Sequence, residues 1–111
     1  MKNILIHCAM KKEGEQIAKL LNLVEKKPKE DNFNNIITTL EGKQHETEIT
    51  LIITGIGKQK TAIGLTKYLC ENDKPDLIIN IGYAGSTFAK IGSWVSIDKS
   101  YNLEWDITGE Q

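Results

Sequence analysis

The sequence predicts an α/β protein with a mostly parallel or mixed, twisted central sheet and flanking helices. Two short, nearly continuous apolar runs, Asn3 to Ala9 and Asp76 to Ile81, have the character of strands buried on both faces. Between and around them the order is strand, helix, hairpin, helix, strand, strand, the alternation that packs helices on a largely parallel sheet. Glycine-bearing or acidic turns follow three of the strands, where such sheets bind ligands.

The elements follow in order. After the run Asn3 to Ala9, residues 11–24 switch to helical spacing, with Ile17, Leu20, Leu21 and Val24 at i, i+3, i+4 and i+7. Glu25 to Asn35 is polar and carries Pro28, which marks a surface connection. Ile36 to Leu40 and Glu48 to Thr54 flank Glu41-Gly42-Lys43 as a hairpin. Gly55-Ile56-Gly57 is a turn, and a second helix runs from Lys58 to Glu71 with Ala62, Leu65, Thr66 and Leu69 inward. Asp76 to Ile81 ends at Gly82. Beyond Gly92, Ser93 to Asp98 alternates as a further strand, Trp94 and Ser96 opposed to Val95 and Ile97. Ser100 to Gln111 shows no period, and no repeat or low-complexity tract interrupts the chain.

Composition bounds the function classes. The 111 residues suit one domain, 40% hydrophobic and 26% charged, with a formal net charge of -1 that gives no reason to expect nucleic acid or an anionic membrane. No apolar run approaches the roughly 20 residues of a membrane span. Ile4-Leu5-Ile6 is too short for a secretory core. Cys8 and Cys70 lie in apolar segments without a CxxC spacing, so a reduced, cytoplasmic protein is expected.

Three loops are candidates for chemistry: Cys8-Ala9-Met10 leading to Glu13, Thr54-Gly55-Ile56-Gly57-Lys58, and Gly82-Tyr83-Ala84-Gly85-Ser86. Spacing excludes two nucleotide motifs. A P-loop would need Ser or Thr after Gly57-Lys58, where Gln59 stands, and a dinucleotide fingerprint would need a third glycine where Lys60 stands. Read alone, Glu13 is a helix-dipole partner, the glycines are turn residues, and Lys11 and Lys12 oppose the dipole. His7 reads as a satisfied core or site-edge histidine. His45 has no partner cluster, so no metal is expected. Trp94 and Trp105 fit packing or an interface better than base stacking.

These loops also carry a resemblance. Met1-Lys2-Asn3-Ile4-Leu5-Ile6 with Ala9-Met10-Lys11-Lys12-Glu13, Thr54-Gly55-Ile56-Gly57-Lys58, Lys74-Pro75-Asp76-Leu77-Ile78-Ile79-Asn80-Ile81-Gly82-Tyr83-Ala84-Gly85, and Ile91-Gly92 with the segment after it stand in register. Together they resemble the N-terminal half of the methylthioadenosine/S-adenosylhomocysteine nucleosidase branch of the nucleoside phosphorylase superfamily, as far as about Thr108. The resemblance implies a single, partial phosphorylase/hydrolase-like domain over residues 1–111. It implies hydrolysis of the N-glycosidic bond of a purine nucleoside, in nucleoside metabolism such as methionine salvage, without a cofactor.

In the roles so implied, Glu13 is the catalytic carboxylate that orients and helps deprotonate the attacking water. Ala9, Met10, Ile56, Gly57, Tyr83, Ala84 and Gly85 are the substrate-binding positions. The sequence contains no arginine, which favours hydrolase over the phosphate-binding phosphorylases. Tyr83 stands where the nucleosidases carry a small hydroxyl residue; an apolar residue there, followed by Ala-Gly-Ser, is also compatible with futalosine hydrolases. The family's ribose-gripping Met-Glu pair, stacking aromatic and base-protonating aspartate find no match after Thr108, and losing such an acid forfeits about 10²–10⁴-fold in rate. The chain alone is therefore expected to be a poor enzyme or none. The alternative is a non-catalytic nucleoside-binding or assembly module. An exposed sheet edge beyond residues 93–98 predicts a homodimer or larger oligomer, or a companion chain.

Overall fold

A computed structural model describes residues 2–26 and 36–101. The chain forms β1 (Lys2–Cys8), α1 (Lys11–Leu21), β2 (Val24–Lys26), β3 (Thr38–Gln44), β4 (Thr47–Ile53), α2 (Lys58–Glu71) and β5 (Leu77–Asn80). The five strands make one sheet in the order β2-β3-β4-β1-β5. β1 pairs in parallel with β4 and with β5, whereas β2–β3 and β3–β4 are antiparallel. The α/β sheet is thus mixed, its parallel part confined to the three strands whose ends carry the candidate loops.

Side-chain alternation sorts the two faces. Ile6 and Cys8 of β1 lie beside Ile49, Leu51 and Ile53 of β4, and against them pack Ile17 and Ala18 of α1. Leu51 and Ile52 are fully buried, each contributing about 1.5–3 kcal/mol of hydrophobic stabilisation. The opposite face presents Leu5, His7, Ile52 and Thr54, and there Gly64 of α2 seats against Thr54 and Ile37. Helices therefore flank both faces.

Several boundaries differ from the sequence expectation. α1 ends at Leu21 because Asn22 turns left-handed, at φ 55°, and its neighbour Leu23 bonds back to the Ala18 carbonyl. Val24 then belongs to β2, and Leu20 and Val24 are exposed. The inward face is instead Gly14, Ile17, Ala18 and Leu21. Glu25 and Lys26 pair with β3 rather than forming a connection; Pro28 and the rest of 27–35 lie outside the described residues, as does Trp105.

The hairpin turn is not at Glu41-Gly42-Lys43. β3 runs on to Gln44, and the reversal falls at His45-Glu46, with Gln44 opposite Thr47 and His45 at φ 56°. Gly42 has another task inside β3: a Cβ there would lie 2.6 Å from Leu23 Cδ2, so the glycine admits the chain leaving α1.

α2 also faces differently. Gly64 is its buried residue, with Thr61, Leu65 and Tyr68 half-buried beside it, whereas Ala62, Thr66 and Leu69 are exposed. A glycine lets the helix backbone approach the sheet more closely than a larger inward row would. β5 is a half-exposed edge strand, with Leu77 51% and Ile78 48% accessible, because only β1 pairs with it among the described residues. Ser93 to Asp98 forms no strand. The chain turns at Lys90 to Ser93, with Gly92 at φ 87°, and residues 93–98 pair with none of the described strands. Trp94, Val95 and Ile97 are consequently exposed on both sides of their alternation.

Two predictions follow from the packing. In Gly64→Ala the new methyl would meet Thr54 Cγ2 at 2.5 Å and Ile37 Cγ2 at 2.8 Å. Overpacking should outweigh the helix-propensity gain of about 1 kcal/mol and lower stability by about 1–2 kcal/mol, read as a lower urea midpoint. The second concerns the thiols. Burial, with the nearby Glu13 charge adding to it, pushes the Cys8 thiol up to about 11, whereas Cys70 is exposed. The folded value lies above the unfolded one, so the stability tied to Cys8 is present below about pH 9 and lost as pH rises through 11. At pH 8 a disulfide reagent should titrate Cys70 alone in the folded protein and both thiols in denaturant.

Candidate active site

Three strand ends meet where the parallel strands stop. Beyond β1 and β4 the pairing continues as backbone bonds, Thr54 N–H to the Cys8 carbonyl (3.2 Å) and Gly55 N–H to the Ala9 carbonyl (2.9 Å). Beyond β5 the Ile81 N–H reaches the His7 carbonyl at 3.0 Å. The loops 8–10, 54–57 and 81–85 therefore leave the sheet side by side.

Glu13 occupies their junction. It lies in the first turn of α1, is only 5% exposed, and uses both carboxylate oxygens. Oε1 accepts the Met10 N–H at 3.0 Å, which caps the helix start, and Oε2 accepts the Tyr83 N–H at 2.6 Å across a separation of 70 residues. Each oxygen keeps a further lone pair, so the carboxylate can still accept a proton from a water or hydroxyl. A Cβ at position 82 would stand 3.1 Å from Oε2, so Gly82 spares the carboxylate a tight contact.

Of the other sequence-predicted positions, Ala9 and Met10 sit directly between β1 and Glu13, Met10 as the helix cap. Gly57 is the N-cap of α2 at φ 106°, and Ile56 beside it is exposed. This turn is brought near Ala9 by the Gly55 bond. Tyr83 contributes its backbone N–H, while its ring is half-exposed. Ala84 and Gly85 continue the same loop on the exposed side. Lys11 is exposed and faces Glu15 at 3.8 Å, one turn on, which gives the basic residue at the helix start a partner.

Sequence reasoning missed the polar link behind these loops. His7, 5% exposed, sets Nδ1 at 2.7 Å from Asn80 Oδ1 and Nε2 at 2.7 Å from Thr54 Oγ1. One imidazole thus joins β5, β1 and the end of β4. With the Asn80 amide oxygen toward the ring, Nδ1 is the nitrogen that donates, and the Thr54 hydroxyl lies between Nε2 at 2.7 Å and the Gly55 carbonyl at 3.2 Å. A signal for this existed: a polar residue stands near the end of each of three apolar strands. No buried side-chain N or O lacks a partner among the described residues. Nor do they contain a group of three or more His, Cys, Asp or Glu able to hold a metal, or a helix long and apolar enough to cross a membrane.

Comparison with known proteins places this arrangement. A solved structure described as an MTA/SAH nucleosidase superposes with a TM-score of 0.60 at 23% identity, covering 74% of this chain and 37% of its own. The apo 5'-methylthioadenosine nucleosidase of Arabidopsis thaliana gives 0.58 at 17%, with the same coverage of 74% and 37%. At these identities the likeness is one of fold, and the match spans 37% of either neighbour's length. The family model of the phosphorylase superfamily matches residues 3–111, from β1 through every loop described above. On that match the chain belongs to the phosphorylase superfamily.

Proposed function

We propose that these residues form part of a nucleosidase site that hydrolyses the N-glycosidic bond of a purine nucleoside of the methylthioadenosine or adenosylhomocysteine type. One observation carries the reading: a buried carboxylate, Glu13, is fixed by the Met10 and Tyr83 N–H groups at the junction of three strand ends. In this role Glu13 takes a proton from the attacking water as the bond to the base breaks, and its charge offsets the positive charge developing on the ribose. Ala9, Met10, Ile56, Gly57, Tyr83, Ala84 and Gly85 form the surrounding wall toward the nucleoside. The lack of arginine supports water over phosphate as the nucleophile, since the guanidinium is the side chain best matched to bidentate phosphate binding.

A cytoplasmic setting and a self-associated state belong to the same proposal. β5 presents an unpaired edge among the described residues, with Leu77 and Ile78 half-exposed on opposite faces. An edge of this kind pairs readily with another strand.

Adenine release from methylthioadenosine is the direct test. Glu13→Gln keeps the size of the side chain but cannot act as base, and turnover should fall about 10²–10⁴-fold. Methylthioadenosine should also shift the amide resonances of Ala9, Met10 and Tyr83. Turnover unaltered by Glu13→Gln would overturn the role of Glu13, and binding without turnover, with residues matching the rest of the neighbours' length supplied, would favour a non-catalytic nucleoside-binding module. For the assembly, sedimentation should show a species that grows with concentration. A compact monomer with β5 amides protected from exchange would refute it.

A further inference from the structure

We propose that His7 is the positioning residue for Glu13: its imidazole fastens the carboxyl end of β5 to β1, so that the Tyr83 N–H stays on the Glu13 carboxylate. The inference rests on reading Glu13 as the working group of the site, but its test needs no turnover.

The Glu13 side of the contact is held by the core. α1 lies so close to β4 that a Cβ on the next residue, Gly14, would come within 2.8 Å of Ile53 Cδ1 and 3.1 Å of Leu51 Cδ2. The Tyr83 side has no such support. Among the described residues β5 is an edge strand of four residues, paired with β1 alone and half-exposed. Beyond its last residue, Asn80, the Ile81 N–H bond to the His7 carbonyl is the last backbone tie before Tyr83. The position of the Tyr83 N–H therefore depends on how firmly Asn80 is fixed.

His7 supplies that fixing. Its ring reaches Asn80 Oδ1 from one nitrogen and Thr54 Oγ1 from the other, each at 2.7 Å. Thr54 is itself immobilised, buried at 4% exposure, with its N–H on the Cys8 carbonyl and its methyl under Gly64 of α2. The ring is thus oriented from β4 and transmits that orientation to β5. A residue serving only to fill the space between these apolar strands would need no polar atoms. The imidazole adds direction, because two hydrogen bonds in the plane of one rigid ring set both the separation and the register of the strand ends.

Nuclear magnetic resonance tests this on the protein without nucleoside. In the wild type, long-range proton–nitrogen correlations of His7 are expected to show a proton on Nδ1. A ring whose only proton is on Nε2 could not donate to Asn80 Oδ1 and would overturn the proposal. Two variants separate positioning from general stability. His7→Asn retains an N–H donor at about the reach of Nδ1, whereas His7→Gln places its donor at about the reach of Nε2 and leaves Asn80 without one. Amide exchange at Tyr83, taken relative to Leu51 in the middle of the core, should rise about tenfold or more in His7→Gln and stay near wild type in His7→Asn. Equal acceleration of Tyr83 and Leu51 would show a merely structural role. So would indistinguishable exchange in the two variants, and either result refutes the proposal. The tautomer measurement requires no substitution, so a proton on Nε2 alone would refute the proposal even if a variant does not fold. A failed adenine-release assay would remove the proposed reaction while leaving these readouts intact.

Discussion

The site depends on the placement of β1 between two parallel neighbours. Its backbone groups are shared between β4 and β5, in registers that bring Cys8 opposite Ile53 and His7 opposite Asn80. Parallel pairing points all three chains the same way, so their loops emerge from one edge of the sheet. That edge is where backbone N–H groups have run out of strand partners and are available to other acceptors. Glu13 occupies such a position, taking two of them from two different loops. An antiparallel neighbour in place of β5 would have sent Tyr83 to the opposite end of the molecule. The antiparallel part of the sheet, β2, β3 and their pairing to β4, lies on the far side and only extends the platform.

Close approach is the second constraint, and glycine meets it at different contacts. Gly14 brings α1 onto β4, Gly64 brings α2 onto Thr54, Gly42 admits Leu23, and Gly82 admits the carboxylate of Glu13. None of these four is at a positive φ, so what each contributes is the absence of a Cβ rather than conformational freedom. Their effects converge because Gly14 sets the depth of the helix bearing Glu13 and Gly64 the depth of the helix covering Thr54. Moving either helix outward would loosen one end of the network that runs from Thr54 through His7 and Asn80 to Tyr83.

The legible and illegible parts of the sequence divide along physical lines. β1 and α2 were readable from pattern, because a continuous apolar run and a 14-residue helix each satisfy their backbone locally or in a buried sheet. The motif-bearing loops are legible too, and with them Glu13, Met10 and Tyr83, which two hydrogen bonds join in the fold. Boundaries set by tertiary contact were not. Gly42 looked like a turn and is a point of close approach, while the actual turn uses His45 in a left-handed conformation. Val24 fitted a helical face, yet Asn22 ended the helix first. Ser93 to Asp98 has the alternation of a strand, but alternation describes side chains and cannot supply the neighbouring backbone that a strand requires. His7 is legible as a satisfied core histidine and polar residues mark three strand ends, but its pairing with Thr54 and Asn80 follows only from the register of β1 with β4 and β5.

The same geometry bears on the residue that departs most visibly from the family pattern. The resemblance to the nucleosidases implies a small hydroxyl residue where Tyr83 stands, and a bulky ring would be disruptive if it had to enter the space beside the glutamate. At Tyr83 the contact with Glu13 is made by the backbone N–H, a group every residue but proline provides, and the ring remains half-exposed. What this position must satisfy is therefore the path of the chain, which Gly82 permits and the Asn80 end of β5 directs. The side chain is left to vary with whatever lies on the outer side of the loop. The hydrogen bond to Glu13 is thus independent of the side chain at position 83, and Tyr83 leaves it in place.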